Sequence, residues 1–277
     1  MRIDSHQHFW NPARGDYDWM PKGDPVLDLV YRPSDLTATL ARHQIDGTVL
    51  VQAAATVAET EYMLGLADAT DFIKGVVGWV DFEKPSDLGV LERLKSHPKF
   101  KGVRPMIQDI PDDDWMLRAE VQWGYAALAD LDLTFDALGF PRHLANFLTI
   151  LKRYPKLRVV IDHCMKPQIR DHSAANFTFW AEGMARLAGE TGAFVKFSAL
   201  ITEANPDWSV ATLRPYVDHI LRVFGPDRIM WGSDWPVCRF RAEYDGWLSA
   251  AHSLTDHLTP TEQARIYGGT AAQFYGL

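Results

Sequence analysis

The chain has 277 residues, 47% of them hydrophobic, enough to fill the core of one large domain. Lys and Arg number 28 against 36 Asp and Glu, and the net charge of -8 opposes sequence-independent attraction to nucleic acid or an anionic membrane, so a small molecule is the expected partner. No apolar run is long enough to span a bilayer and the N-terminus lacks a signal-peptide pattern, which points to the cytoplasm. Cys164 and Cys238 lie far apart outside any CxxC spacing, as expected of buried thiols rather than a disulfide or a cysteine zinc site.

The first predicted element is a strand over 2–9. Successive strand side chains point to opposite faces, so His6 and His8 converge on one spot. Residues 11–33 follow, polar, aromatic and rich in Pro and Gly. That is too long for an ordinary connection, and Tyr17, Trp19 and Tyr31 favour an ordered loop. Helical and strand patterns then alternate: helix 34–43, strand 47–53, helix 58–70, strand 75–80, helix 87–96, strand 102–106, helix 117–131, strand 134–138. The series continues with helix 141–154, strand 159–163, helix 174–191, strand 193–198, helix 210–224, strand 229–232 and a last helix over 260–267. Several helices open on Pro or a capping residue, as in Pro33-Ser34-Asp35, Pro85-Ser86-Asp87 and Thr259-Pro260-Thr261-Glu262. Strand then helix, eight times without a linker, predicts an α/β fold, a (β/α)8 TIM barrel forming one domain over 1–277.

Active sites of this architecture sit at the C-terminal strand ends. The polar residues there are His6 and His8 on the first strand, Arg104 on the fourth, Asp136 on the fifth and His163 on the sixth. Lys196 and Ser198 stand on the seventh, and Asp234 follows the eighth. Each also has a plainer role open to it. A histidine can be satisfied inside a core, an Asp before Trp-Pro can cap a turn, and Arg104 can pair with a structural carboxylate as readily as with substrate. The other seven histidines fall in predicted helices or loops and read mostly as surface residues.

Taken together, these strand ends resemble the amidohydrolase superfamily over nearly the whole chain, with His6, His8, His163 and Asp234 at its hallmark positions. Ile3-Asp4-Ser5-His6-Gln7-His8-Phe9-Trp10, Lys101-Gly102-Val103-Arg104 and Trp231-Gly232-Ser233-Asp234-Trp235-Pro236 are similar to the amidohydrolase-2 branch, which contains sugar lactonases and the pyrone-dicarboxylate lactonase. Binuclear members end strand four in a modified lysine and strand five in a histidine. Here those strands read Gly102-Val103-Arg104-Pro105 and Thr134-Phe135-Asp136-Ala137-Leu138, so at most one ion is expected.

One divalent ion such as zinc, on His6, His8 and Asp234, is compatible with these residue types. So is metal-independent catalysis, with His6, His8 and His163 donating to an oxyanion while Asp234 takes a proton from water. The resemblance implies a hydrolase that opens a sugar-acid lactone to the aldonic acid, with Arg104, Trp10, Lys166 and Trp235 contacting substrate and Trp19 and Arg239 as further candidates. Rival readings are a metal-dependent decarboxylase on the same barrel and a non-catalytic sugar-binding barrel. No glycine-rich phosphate fingerprint or GxSxG elbow is present, so neither a nucleotide cofactor nor a serine hydrolase is expected. The sequence leaves the oligomeric state open.

Overall fold

A computed structural model describes residues 1–277. Its eight strands are β1 (Ile3–Gln7), β2 (Gly47–Val51), β3 (Ile73–Gly78), β4 (Phe100–Val103), β5 (Thr134–Ala137), β6 (Arg158–Ile161), β7 (Phe194–Phe197) and β8 (Ile229–Trp231). They pair in parallel in chain order. Almost every strand residue is buried, because helices cover the outer face while side chains fill the interior.

The barrel closes just beyond β8 rather than along it. The His8 amide donates to the Trp235 carbonyl at 2.7 Å, and the Asp234 amide donates to the His6 carbonyl at 2.8 Å. Asp4, fully buried inside β1, clamps the same seam. Its Oδ1 accepts from the Ser233 amide at 2.8 Å and the His6 amide at 3.2 Å, and its Oδ2 from the Tyr244 hydroxyl at 3.2 Å. Burial nonetheless raises its pKa to about 6.

The helices expected between strands are α1 (Pro33–Arg42), α2 (Val57–Asp68), α3 (Leu88–Lys95), α4 (Gln122–Asp130), α5 (Leu144–Arg153) and α6 (Ala174–Glu190). A short α7 (Leu200–Glu203) and the full α8 (Val210–Phe224) follow. The fourth starts later than the pattern suggests, because two tight turns, Trp115–Leu117 and Ala119–Val121, precede it. An unexpected α9 (Tyr244–Leu254) follows β8, its Gly and Ser residues lowering its intrinsic helicity. Burial of Trp247, Leu248, Ala251 and Leu254 stabilises it instead.

The predicted last helix splits into α10 (Pro260–Ala264) and α11 (Thr270–Tyr275), with a wide turn at Arg265–Gly269 between them. That turn lets α11 lie under the barrel. Arg158 at the start of β6 donates to the Phe274 carbonyl at 2.8 Å, and the Tyr275 hydroxyl reaches up to Asp136 Oδ2 at 2.8 Å.

The loop over 11–33 is ordered. Tyr17, Met20, Leu27 and Tyr31 are buried in it, and the Trp10 indole donates to the Leu27 and Leu29 carbonyls at 3.1 and 3.0 Å. Both cysteines are buried and unpaired, and no helix is long and apolar enough to cross a membrane. Of the seven remaining histidines, His143 and His219 are buried and the others lie at least partly exposed.

Gly268 packs tightly against the N-terminus, where a Cβ would lie 2.2 Å from the Met1 carbonyl oxygen and 2.9 Å from Arg2 Cα. Gly268→Ala should therefore lower the unfolding free energy by about 1–3 kcal/mol, read as a reduced denaturant midpoint at unchanged slope.

Candidate active site

β1 delivers His6 and His8 to one face, and the loop that closes the seam brings Asp234 beside them. His6 Nε2 lies 3.2 Å from His8 Nε2 and 3.7 Å from Asp234 Oδ1, while His8 Nε2 lies 3.3 Å from the same oxygen. His163 Nε2 stands 4.0 Å from it, so three imidazoles face one carboxylate. The His8 ring is fixed from behind, since Nδ1 donates to the Val51 carbonyl at 2.7 Å and leaves Nε2 as its other nitrogen.

The backbone placing these groups is strained. His163, Cys164, Met165 and Lys166 have φ of 53°, 50°, 59° and 46°, four successive residues in the left-handed region, and Asp234 has φ of 56°. Each costs of order 1–3 kcal/mol and persists only where surrounding structure enforces it. The Trp180 indole pins the turn by donating to the Cys164 carbonyl at 2.7 Å. The result aims His163 inward and carries Lys166 to the rim, against Gln108 and over the Phe140 ring at 5.4 Å.

Beneath the histidines lies a buried ion cluster, in which Asp162 joins the strand-end residues Arg104, Asp136 and Lys196. Lys196, with no exposed surface, contacts Asp136 Oδ2, Asp162 Oδ1 at 3.0 Å and His6 Nδ1 at 3.0 Å. Arg104 pairs with Asp162 Oδ2 at 3.2 Å and is gripped by Gln52 through both the side-chain oxygen and the backbone carbonyl. Two cations thus balance two carboxylates. Burial favours the neutral form of Asp162, but the Lys196 ammonium and the Arg104 guanidinium outweigh it and hold its pKa well below the usual carboxylate range.

Burial, and then Lys196, push the His6 pKa far below its ordinary value, and burial takes His163 down to about 3. Asp234 is also lowered. Its desolvation is overcome by the neighbouring His163 and His8.

A pocket of about 180 Å³ opens above this floor, lined by His8, Arg104, His163, Asp234 and Lys166. Trp10, Trp19, Leu138, Met106 and Val237 form its apolar surfaces, and Gln108 and Asp109 add polar groups that sit on a turn without periodic signal. Gln52, a polar residue just past the apolar run of β2, is a further residue of the site through its grip on Arg104. Trp235 is a correction. Its ring packs against Phe9 and Tyr31, with centroids 5.8 and 4.9 Å away, and borders a separate outer groove, so it is not placed to stack on a ligand in this pocket. Arg239 borders that groove too, bound to Glu243 and the Tyr31 hydroxyl.

The donor set fits one divalent ion. Atoms of His6, His163 and Asp234 lie within 4.8 Å of one another, with His8 adjoining, where the sequence had suggested His6, His8 and Asp234. No lysine or histidine of the strand-four and strand-five type is present for a second ion, Arg104 and Asp136 occupying those strands.

A parallel eight-stranded barrel with histidines and an aspartate at its C-terminal mouth defines an amidohydrolase-type enzyme. The sequence matches the amidohydrolase family Amidohydro_2 over residues 3–277, and the chain belongs to that family. It is 42% identical to an L-fucono-1,5-lactonase of Burkholderia ambifaria, covering 99% of this chain and 95% of that protein. Identity to an L-fucono-1,5-lactonase of Burkholderia multivorans is 34%, covering 100% and 96%. A crystal structure of an amidohydrolase from Burkholderia multivorans, solved with bound zinc, superposes with a TM-score of 0.93 at 34% identity, covering 100% of this chain and 99% of that one. A 2,6-dihydroxybenzoate decarboxylase from Rhizobium, at 13% identity and a TM-score of 0.71, shares the fold alone.

Breaking a buried pair strands its partner's charge. Asp162→Asn should destabilise the protein by about 3–5 kcal/mol, measurable by denaturant unfolding, and a loss under 1 kcal/mol would contradict the charge balance drawn above.

Proposed function

We propose that this protein hydrolyses the lactone of a sugar acid, of the L-fucono-1,5-lactone or L-rhamnono-lactone type, to the free aldonic acid in carbohydrate catabolism. The observation that carries the reading is a single low-pKa carboxylate, Asp234, facing three imidazoles, with His8 and His163 on the floor of a small pocket and His6 buried just beneath it. The two lactonase relatives support the choice of substrate.

In this reading Asp234 takes a proton from the attacking water as the oxygen adds to the ring carbonyl. His6, His8 and His163 surround the oxyanion that develops; His6 and His163 supply the hydrogen bonds that stabilise it, in a site where burial makes such bonds strong, while His8 faces Asp234. Asp234 then returns the proton to the departing ring alkoxide. Trp10 and Trp19 offer rings to the sugar's C–H face, while Lys166, Gln108 and Asp109 offer donors and acceptors to its hydroxyls. His6, His163 and Asp234 would hold a divalent ion, which when bound supplies Lewis acidity and a lowered pKa for water.

Three outcomes are expected. Asp234→Asn should cut turnover of L-fucono-1,5-lactone about 10²–10⁴-fold in a pH-indicator assay of acid release while the circular dichroism stays that of the folded protein, and near-normal turnover would sink the assignment.

The pH dependence follows from the shifted groups. A base whose pKa lies below 3.8 keeps its charge as pH falls, and His163 takes no proton until about 3. kcat/KM should therefore hold down to about pH 5, and an acid limb near the imidazole value of 6.5 would contradict this. Zinc loading followed by metal analysis should give no more than one ion per chain. Two would overturn the single-site reading.

A further inference from the structure

Lys196 is fully buried on β7, yet it does not line the pocket. Placing a lysine ammonium in a barrel interior is costly, and Asp136 and Asp162 already compensate its charge. Its remaining contact, to His6 Nδ1 at 3.0 Å, bears on the site.

An ammonium has donors only, so the ring nitrogen it meets must accept. A neutral imidazole that accepts at Nδ1 carries its proton on Nε2. That atom is the one turned towards His8 Nε2 and Asp234 Oδ1, at 3.2 and 3.7 Å. Arg104 Nη1 also approaches Nε2, at 3.4 Å, but the same nitrogen has a carboxylate partner in Asp162 Oδ2 at 3.2 Å, and the shorter lysine contact decides the tautomer. The opposite tautomer would press Nδ1–H against Lys196, with its nearest carboxylate oxygen, Asp162 Oδ1, 3.6 Å away.

His8 is set the other way. Its Nδ1 donates to the Val51 carbonyl, so its neutral ring accepts at Nε2. The two rings of the His-X-His pair therefore present opposite functions to the same space.

We infer that Lys196 is a positioning residue that holds His6 as a hydrogen-bond donor towards the reaction centre, and so gives the strand-one histidines different roles. His6 donates to the oxyanion, and His8, facing Asp234 as an acceptor, shares the mobile proton with it.

The assignment of the donor to an oxyanion rests on the lactonase reading, but the tautomer does not. The first measurement needs no substrate: long-range ¹H–¹⁵N correlation spectra of the whole protein labelled at histidine nitrogen, with the His6 signals identified by their loss in His6→Gln. A protonated Nε2 and a bare Nδ1 are expected, and a protonated Nδ1 overturns the proposal whether or not lactones are substrates.

The second measurement uses Lys196→Met together with Asp136→Asn, a pair that removes one charge of each sign and leaves no stranded carboxylate. The proton should move to Nδ1, and kcat on L-fucono-1,5-lactone should fall about 10²–10³-fold, the scale for losing one oxyanion donor, with KM within a fewfold of wild type. An unchanged tautomer, or a kcat within twofold of wild type, overturns it. If that double variant does not fold, Lys196→Arg keeps the charge, and its His6 signals should retain the protonated Nε2. Loss of that pattern while Lys196→Arg keeps full kcat counts against the proposal.

Discussion

Four formal charges lie inside one barrel, and the arrangement of the catalytic end depends on their balance. Lys196 and Arg104 come from β7 and the end of β4, Asp136 and Asp162 from β5 and the end of β6, and each is almost wholly removed from solvent. Any one of them alone would be expensive to bury. Because every member answers another, the cluster fixes the relative heights of four strands and forms a polar floor under His6. The same charges decide the state of the site, since cations beside His6 oppose its protonation while His8 and His163 favour the ionised form of Asp234.

The second constraint is the seam. β1 and the loop after β8 meet through backbone hydrogen bonds made by His6, His8, Asp234 and Trp235, so barrel closure and site assembly use the same residues. Asp4 and Tyr244 lock the seam from behind. The left-handed turn at His163–Lys166 is tolerated because Trp180 and the packed walls enforce it. Strain of this kind holds a histidine in place without relying on a flexible loop.

Much of this was legible in the chain itself. The strand boundaries expected from alternating apolar runs agree with the observed ones to within two residues, except at the end of β4, which comes three residues earlier, and the histidine pair, Arg104, His163 and Asp234 do converge on one mouth. Errors arose where tertiary packing overrode local signal. α9 has weak intrinsic helicity and forms because its apolar face is buried, and the expected last helix is interrupted at Arg265–Gly269, where Gly268 packs against the Met1 carbonyl. Trp235 was misplaced for a similar reason. Proximity to Asp234 in sequence says nothing about which way an indole turns after a strand with a positive-φ residue before it.

The sequence by itself determined the architecture, the family resemblance and the residue types at each strand end, because those follow from periodicity and spacing along one strand or helix. Only the tertiary structure decided which of them touch. Lys196 and Asp136 stand 60 residues apart in the chain, and His6 lies 190 from Lys196. Contact across such separations is set by barrel register and closure, to which no local pattern is sensitive. The consequence is chemical as well as spatial, since the role of each histidine depends on the atom behind its ring: a lysine ammonium for His6, a backbone carbonyl for His8.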